Sequence, residues 1–147
     1  MIFLAGCSSA VVTPTAPSKK EDISSYAHKG SASIHGQAFL KTKNGDVKSA
    51  AGNDIVLIPA TPHSDEAVGF LDEGARVIAK INPDWRTYSR ITHADRSGYF
   101  EFSELPAGDY YLECGIYWQV GNARTGSVVR KRVSLNKNQA LKVVLSE

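Results

Sequence analysis

The feature that most constrains the fold is the stretch THADRSGYFEFSELPAGDYYLECGIYW, residues 92–118. It contains two turn signals, at residues 95–98 (DRSG) and 105–109 (LPAGD). Between them Phe100 and Phe102 share one face, and after the second turn the apolar positions alternate over nine residues. Those positions are Tyr110, Leu112, Cys114, Ile116 and Trp118. This long period of two predicts an antiparallel β meander.

The turn residues have roles that follow from their chemistry. We expect the Asp95 carboxylate to accept from a backbone amide two residues on, and Gly98 to supply a positive φ. Pro106 presets its own φ, and Gly108 relaxes the second turn. These residues build the fold and carry no evident activity.

The rest of the chain adds further strands. Residues 31–41 alternate, Asn44-Gly45 is a hairpin signal, and residues 54–59 form a continuous apolar run that Pro59 ends. A strand over 89–95 leads into the meander, and two more follow it. Their inward residues are Val129, Val133 and Leu135, then Leu141, Val143 and Leu145. About seven strands at this spacing predict an all-β protein, an antiparallel β-sandwich.

One segment loses the period of two. Ser64 can cap a helix, and Val68, Leu71, Ala75 and Ile78 are spaced like one helical face. We expect one short helix between residues 64 and 81, stopped by residues 82–83 (NP) and packed across an open end or edge of the sandwich. Residues 82–89 are predicted to form a loop, and residues 119–126 a second, long loop.

The N-terminus resembles the end of a targeting signal. Leu4-Ala5-Gly6-Cys7 resembles the bacterial lipobox, in which the cysteine thiol receives the diacylglycerol. Residues 1–6 would then be the remnant of a lipoprotein signal peptide, with Cys7 as the lipid attachment site. A secretory signal needs a basic region and about 7–15 apolar residues. Only six residues precede Cys7, so we expect upstream residues to be missing; an ordinary cysteine near a start is the alternative.

Residues 8–30 are rich in Ser, Thr, Ala, Pro and Lys and show no sustained period. Such a composition predicts a flexible tether. The expected organisation is therefore a tether over residues 7–30 and a domain over residues 31–147. By the lipoprotein resemblance, Ser8 after the cysteine favours a lipid anchor in the outer membrane, facing the periplasm, over retention in the inner membrane.

Several function classes find no support in the sequence. A net charge of +2 is too small to predict nucleic-acid binding, and Arg130-Lys131-Arg132 points to alternate faces of a strand. Nucleophile, zinc-protease, phosphate-loop and dinucleotide motifs are absent. The four histidines, at 28, 35, 63 and 93, lack the spacing of a metal site. We predict no enzyme, no metal and no cofactor, and a buried thiol at Cys114.

Four aromatic residues are the candidate partner contacts: Trp85, Tyr88, Tyr111 and Tyr117. Tyr111 and Tyr117 face away from Trp118 on the same predicted strand. They could form a ligand or protein contact surface. Packing beneath the helical insert is favoured, because a sheet face must be covered.

The motifs also carry a family resemblance. Ile55-Val56-Leu57-Ile58-Pro59, the stretch THADRSGYFEF at 92–102 and the stretch LPAGDYYL at 105–112 resemble the carboxypeptidase regulatory-like domain, over roughly residues 31–146. The resemblance implies a prealbumin-like (transthyretin-like) sandwich of seven strands. In zinc carboxypeptidases this module is an accessory without catalytic residues of its own.

The prediction for function is a non-enzymatic, lipid-anchored envelope protein. It would bind an envelope protein or a glycan through a sheet face or through the segments 60–89 and 119–127. A structural component of a secretion or adhesion assembly is the alternative. A transthyretin-like hydrolase is a weaker one, because the chain ends VLSE where that branch has approximately Tyr-Arg-Gly-Ser.

Overall fold

A computed structural model describes residues 11–75, 77–78 and 83–147 of the chain. The helices and strands follow in this order: β1 Val11–Val12, α1 Lys20–Ser24, a 3-10 helix Ser25–Ala27, β2 Ala32–Lys41, β3 Val47–Ser49, β4 Asp54–Pro59, α2 Pro62–Asp72, β5 Val77–Ile78, α3 Asp84–Tyr88, β6 Arg90–His93, β7 Tyr99–Leu105, β8 Gly108–Val120, β9 Ala123–Leu135 and β10 Ala140–Leu145.

Eight of these strands form the two sheets of a β-sandwich. The large sheet has the order β6-β4-β8-β9, and every pair in it is antiparallel. In the small sheet, β2 lies between β10 and β7, and the short β3 pairs with the far end of β2. The predicted all-β sandwich is therefore confirmed. The parallel pairing of β10 with β2 is the one departure from an antiparallel arrangement in these two sheets.

The core lies between the two sheets and is filled by the alternate residues that the sequence pattern marks as apolar. Ile34, Leu112 and Leu145 are fully buried there, together with Ile116 and Val129. Every second side chain of each strand points inward, and the inward side chains of the two sheets together form a continuous apolar layer. The predicted inward faces of the strands are confirmed.

The large sheet is covered on its outer face by α2. Ile58 and Tyr111 point away from the main core and pack with Val68 of α2, and Trp85 lies against the same cluster. The helix begins with a capping box, in which the Thr61 side chain and Ser64 bond each other's backbone amides. Tyr111 packs beneath the helical insert as predicted, whereas Tyr117, which was expected there too, is exposed and contacts Arg124 instead.

The helical insert is shorter than we predicted. A Schellman motif ends α2: Gly74, at φ +96°, donates to the Leu71 carbonyl, and Ala75 donates to the Phe70 carbonyl. Ala75 and Ile78 were expected on the helical face, but Ile78 lies in β5. Residues 82–89 were expected to form a loop, and their described part contains α3 instead. The apolar spacing predicts a helix that continues past residue 74. The helix ends earlier because Gly74 adopts the left-handed conformation.

The predicted long loop after Trp118 is also wrong. Strands β8 and β9 continue to a two-residue turn, Gly121-Asn122, with Gly121 at φ +61°. The pair extends beyond the end of β4 as a two-stranded ribbon, residues 115–128. The polar and glycine-rich sequence of residues 119–127 hid the outer part of the two strands, because a ribbon whose two faces are near solvent needs no apolar alternation.

The described part of the predicted tether, residues 11–30, contacts the sandwich. It contains β1 and α1, and β1 pairs in parallel with β5. Ile23 is buried and Tyr26 packs edge-on against Tyr110. The composition of this segment gave no sign of these contacts, because they are made with residues far away in the sequence.

Candidate functional site

A groove of about 800 Å³ lies at the small sheet. Its floor is two rows of side chains on the outer face, and each row takes one residue from β10, one from β2 and one from β7. The first row is Lys142, His35 and Glu101; the second row is Val144, Gln37 and Tyr99. The register of the three strands therefore places these six side chains next to one another in two rows. We call the surface that they form the two-row groove.

The local sequence explains why these residues face outward. Their neighbours on β2, Ile34 and Ala38, are fully buried, so alternation turns His35 and Gln37 to the other face. Gly36, between them, faces the core without a side chain. A Cβ there would lie 2.4 Å from Cζ of the Phe100 ring, so the glycine makes room for that ring.

The turn at residues 95–98 fixes one end of the groove. Asp95 Oδ1 accepts from the amides of Ser97 and Tyr99, at 2.8 and 2.9 Å, and Gly98 has φ +82°. Both roles were expected from the sequence. Gln37 Nε2 donates to the Ser97 carbonyl at 2.9 Å, so the turn positions a groove residue on β2 as well as Tyr99 on β7.

Two polar groups of the first row, His35 and Glu101, have contacts within the sheet. His35 Nε2 lies 3.1 Å from Ser33 Oγ, and His35 Nδ1 lies 3.9 Å from Glu101 Oε2. At the rim, His93 Nδ1 is 2.6 Å from Asp54 Oδ1. These contacts limit the freedom of the side chains before any ligand arrives, which lowers the entropy lost on binding.

The groove offers a ligand both apolar contact and hydrogen bonds. Tyr99 is 55% exposed and Val144 is 53% exposed, so an aromatic ring and an aliphatic group face solvent at the two ends of the second row, with Gln37 between them. No described residue donates a hydrogen bond to Gln37 Oε1, so this oxygen is available to accept one from a ligand. The Glu101 carboxylate offers further acceptors, and the Lys142 ammonium group offers donors. Among the described residues there is no group of three or more His, Cys, Asp or Glu side chains able to hold a metal ion.

Two of the predicted contact residues meet in a buried cluster, away from the groove. Tyr111 is 7% exposed and packs with Trp85 beneath α2. Its hydroxyl donates to Asp65 Oδ1 at 2.5 Å, and Arg132 Nε donates to the same oxygen at 3.3 Å. Burial, then the bond to Asp65, raises the pKa of Tyr111 to about 12. The contacts assign Tyr111 and Trp85 to the attachment of α2.

The other two predicted contact residues lie apart. Tyr117 stands on the ribbon, 41% exposed, and the Arg124 guanidinium lies 4.1 Å from the centre of its ring. A Cβ on Gly115 would lie 2.9 Å from the same ring, so Tyr117 shields a glycine of its own strand. Tyr88 is half-buried at the end of α3. The four aromatic residues therefore do not form one surface.

Of the two cysteines, Cys7 lies outside the described residues, and so does the lipobox. Cys114 is buried in the core, as predicted, and forms no disulfide within the described part of the chain. Burial, with smaller contributions from Asp54 and Glu113, raises the pKa of its thiol to about 11.

No helix in the described ranges is long and apolar enough to cross a membrane.

Sequence reasoning missed the two-row groove. The alternation that marked Phe100 and Phe102 as inward also places Tyr99 and Glu101 outward, and this was the available signal. It could not show that these residues meet His35 and Lys142. That meeting depends on a strand more than sixty residues away in sequence and on the parallel pairing of the last strand.

Comparison with known proteins supports the fold. No protein-family model and no curated protein matches this chain, so the resemblance to the carboxypeptidase regulatory-like domain stays a prediction. The fold is similar to the crystal structure of "a putative carbohydrate binding protein" from Pseudomonas aeruginosa, with a TM-score of 0.72 and 23% identity over 91% of this chain and 99% of that one. A minor pilin from Streptococcus agalactiae has a TM-score of 0.43 and 17% identity, over 81% of this chain and 44% of that one.

Proposed function

We propose that this protein is a non-enzymatic binding module of the bacterial cell envelope, and that its ligand is an oligosaccharide held in the two-row groove. The observation that carries the proposal is the alignment of Tyr99 and Val144 with Gln37, next to the row of Lys142, His35 and Glu101. The description of the similar structure from Pseudomonas aeruginosa as "a putative carbohydrate binding protein" supports the proposal.

The chemistry of the groove suits a sugar. A sugar ring has apolar C–H faces and a rim of hydroxyl groups. The exposed ring of Tyr99 gives such a face a flat apolar contact. Gln37 Oε1 and the Glu101 carboxylate then accept from hydroxyls, and Lys142 donates to a ring or hydroxyl oxygen.

The size of the groove favours a chain of sugars over a single one. Its volume of about 800 Å³ lies in the upper part of the range of roughly 300–1,000 Å³ that holds drug-sized ligands. A single pyranose is smaller than such a ligand and would cover only part of the two rows. The groove is open along its length, so an oligosaccharide can lie across β10, β2 and β7 and extend past the rim at His93.

Titration calorimetry with a panel of neutral oligosaccharides, one to six units of glucose, galactose or N-acetylglucosamine, tests this proposal. We expect at least one series to bind, with affinity rising over the first few units. Tyr99→Ala should weaken that binding at least tenfold, and Tyr117→Ala, which removes a tyrosine outside the groove, should leave it within twofold. Binding that neither substitution changes, or no binding to any member, would count against the groove.

The lipid anchor at Cys7 belongs to the same proposal, and the lipobox resemblance supports it. The anchor would hold the protein in the outer membrane, facing the periplasm. Mass spectrometry of the protein expressed behind a complete lipoprotein signal should find an acylated N-terminal cysteine. Cys7→Ala should move the protein from the membrane fraction to the soluble fraction. An unmodified cysteine, or unchanged fractionation, would remove the anchor.

A further inference from the structure

One carboxylate on α2 holds the incoming chain. Glu66 Oε2 accepts from the amides of Thr15 and Ala16, at 2.8 and 2.5 Å, and Glu66 Oε1 accepts from the Thr15 hydroxyl at 2.9 Å. Hydrogen bonds to a charged acceptor are stronger than neutral ones. Glu66 therefore anchors the backbone at residues 15–16 to the first half of α2.

Further contacts hold the same segment on either side of Glu66. His63 Nδ1 is 2.9 Å from the Ala16 carbonyl, so this nitrogen carries the proton and donates it. Pro14 is buried. Before it, Val11 and Val12 pair with Val77 and Ile78 of β5. The chain is thus held along β1 and against the start of α2.

The downstream end of the segment is held at the sandwich. Ile23 is 3% exposed, and the Tyr26 ring lies edge-on to Tyr110 with 5.0 Å between ring centres. Lys29 Nζ lies 3.1 Å from Glu104 Oε2. Residues 11–30, which we call the N-terminal strap, are therefore fixed at both ends.

The upstream part of the strap, residues 11–16, and the groove lie on opposite sides of the sandwich. The strap contacts α2 and β5, and α2 covers the outer face of the large sheet through Val68, Ile58 and Tyr111. The two-row groove is on the outer face of the small sheet. The chain therefore enters the domain on the side that faces away from the groove rows.

We infer that the strap orients the domain on a membrane, with the α2 side toward the lipid and the two-row groove turned away from it. Three residues lie between Cys7 and Val11, so the four steps from one Cα to the other span at most roughly 14 Å when fully extended. A lipid on Cys7 therefore holds the α2 side next to the bilayer, where the groove remains open to an oligosaccharide from the surroundings. This orientation rests on the proposed anchor; the docking of the strap does not.

Fluorescence quenching tests the orientation on the acylated full-length protein in phosphatidylethanolamine–phosphatidylglycerol vesicles. One fluorophore is placed at the end of α2 by Glu73→Cys, and another in the groove by Lys142→Cys; both positions are exposed. A quencher on the lipid headgroups should reduce the first signal at least twice as strongly as the second. Equal quenching, or stronger quenching at position 142, would overturn the inference.

A second substitution shows whether the strap is the cause. With Glu66→Ala, we expect hydrogen exchange at residues 11–16 to rise and the difference in quenching between the two positions to shrink. Asp46→Ala, which removes an exposed carboxylate distant from the strap in sequence, is the matched control and should change neither. If the quenching difference persists in Glu66→Ala while exchange rises, the strap does not set the orientation. If mass spectrometry finds no acyl group on the protein, the proposed anchor at Cys7 is contradicted, whereas the docking of the strap on the domain is not.

Discussion

The hydroxyl of Tyr26 bonds both backbone groups of Asp109, eighty-three residues along the chain. It donates to the carbonyl oxygen at 2.9 Å and accepts from the amide at 3.2 Å. Gly108 makes this approach possible, because a Cβ there would lie 2.8 Å from the Tyr26 ring. One side chain of the N-terminal strap thus completes the hydrogen bonding at the start of β8.

Tyr26→Phe should lower the free energy of unfolding by about 1–3 kcal/mol, because the Asp109 amide loses the Tyr26 hydroxyl as its acceptor in a partly buried place. The Asp109 carbonyl loses one of two donors and keeps the Ala60 amide at 2.8 Å. Urea denaturation of the full chain measures the change. Tyr99→Phe is the matched control: its hydroxyl has no partner among the described residues, and the change should stay within about 0.5 kcal/mol. Equal effects of the two substitutions would show that the Tyr26 hydroxyl contributes nothing specific.

Gly36→Ala should destabilise the sandwich by about 1–3 kcal/mol through overpacking. The new methyl group would lie 2.4 Å from the Phe100 ring and 2.8 Å from Val143 Cγ1. Gly69→Ala, in α2, meets nothing within 4 Å and should stabilise by up to about 1 kcal/mol through helix propensity. Thermal unfolding should therefore give a lower midpoint for Gly36→Ala, and a higher midpoint for Gly69→Ala, than for the wild type. A stable Gly36→Ala protein would mean that Phe100 is free to move.

The contribution of Glu66 to stability should depend on pH in a defined direction. The amide of Ala16, and then that of Thr15, hold the pKa of Glu66 below its ordinary value of 4.5. Because the folded pKa is lowered, the stabilisation is present above pH 4.5 and is lost as the pH falls through the lower folded value. The difference in unfolding midpoint between the wild type and Glu66→Gln should therefore be largest near neutral pH and shrink in acid. A difference that is the same at pH 7 and pH 3 would contradict this.

Cys114 should be almost inert toward thiol reagents in the folded protein. Its pKa of about 11 leaves on the order of one thiolate per thousand at pH 8, and the side chain is buried. In a Cys7→Ala background, a colorimetric disulfide reagent should label Cys114 only after the protein is unfolded in denaturant. Addition of Glu73→Cys supplies an exposed thiol that should react at once. Rapid labelling of Cys114 in the folded Cys7→Ala protein would mean that the strand opens readily.

The strands of the sandwich were predictable because each is specified by local alternation. Ile34 and Ala38, Leu112 and Cys114, and Val129 and Val133 face the core as their spacing indicates. The turn at Asp95 was predictable for the same reason, since its hydrogen bonds reach only two to four residues along the chain. Local patterns were enough wherever one face of a strand had to be buried.

The parts that were not predicted depend on contacts between distant residues. The strap is placed by Glu66 and Asp109, which lie fifty and eighty-three residues from the groups that they bond. The outer part of the ribbon, residues 119–127, is specified by pairing across Gly121-Asn122 and not by apolar alternation. The two-row groove needs the register of three strands at once, and no stretch of sequence contains that information.

The most direct measurement of the central claim is an NMR titration of the isotope-labelled protein with the tightest-binding oligosaccharide of the panel. The account predicts that amide shifts concentrate on the strands of the two-row groove, around Gln37, Tyr99, Glu101 and Lys142, and leave α2 and the ribbon unchanged. Shifts concentrated on α2 or on residues 115–128, or no shifts at saturating oligosaccharide, would contradict it.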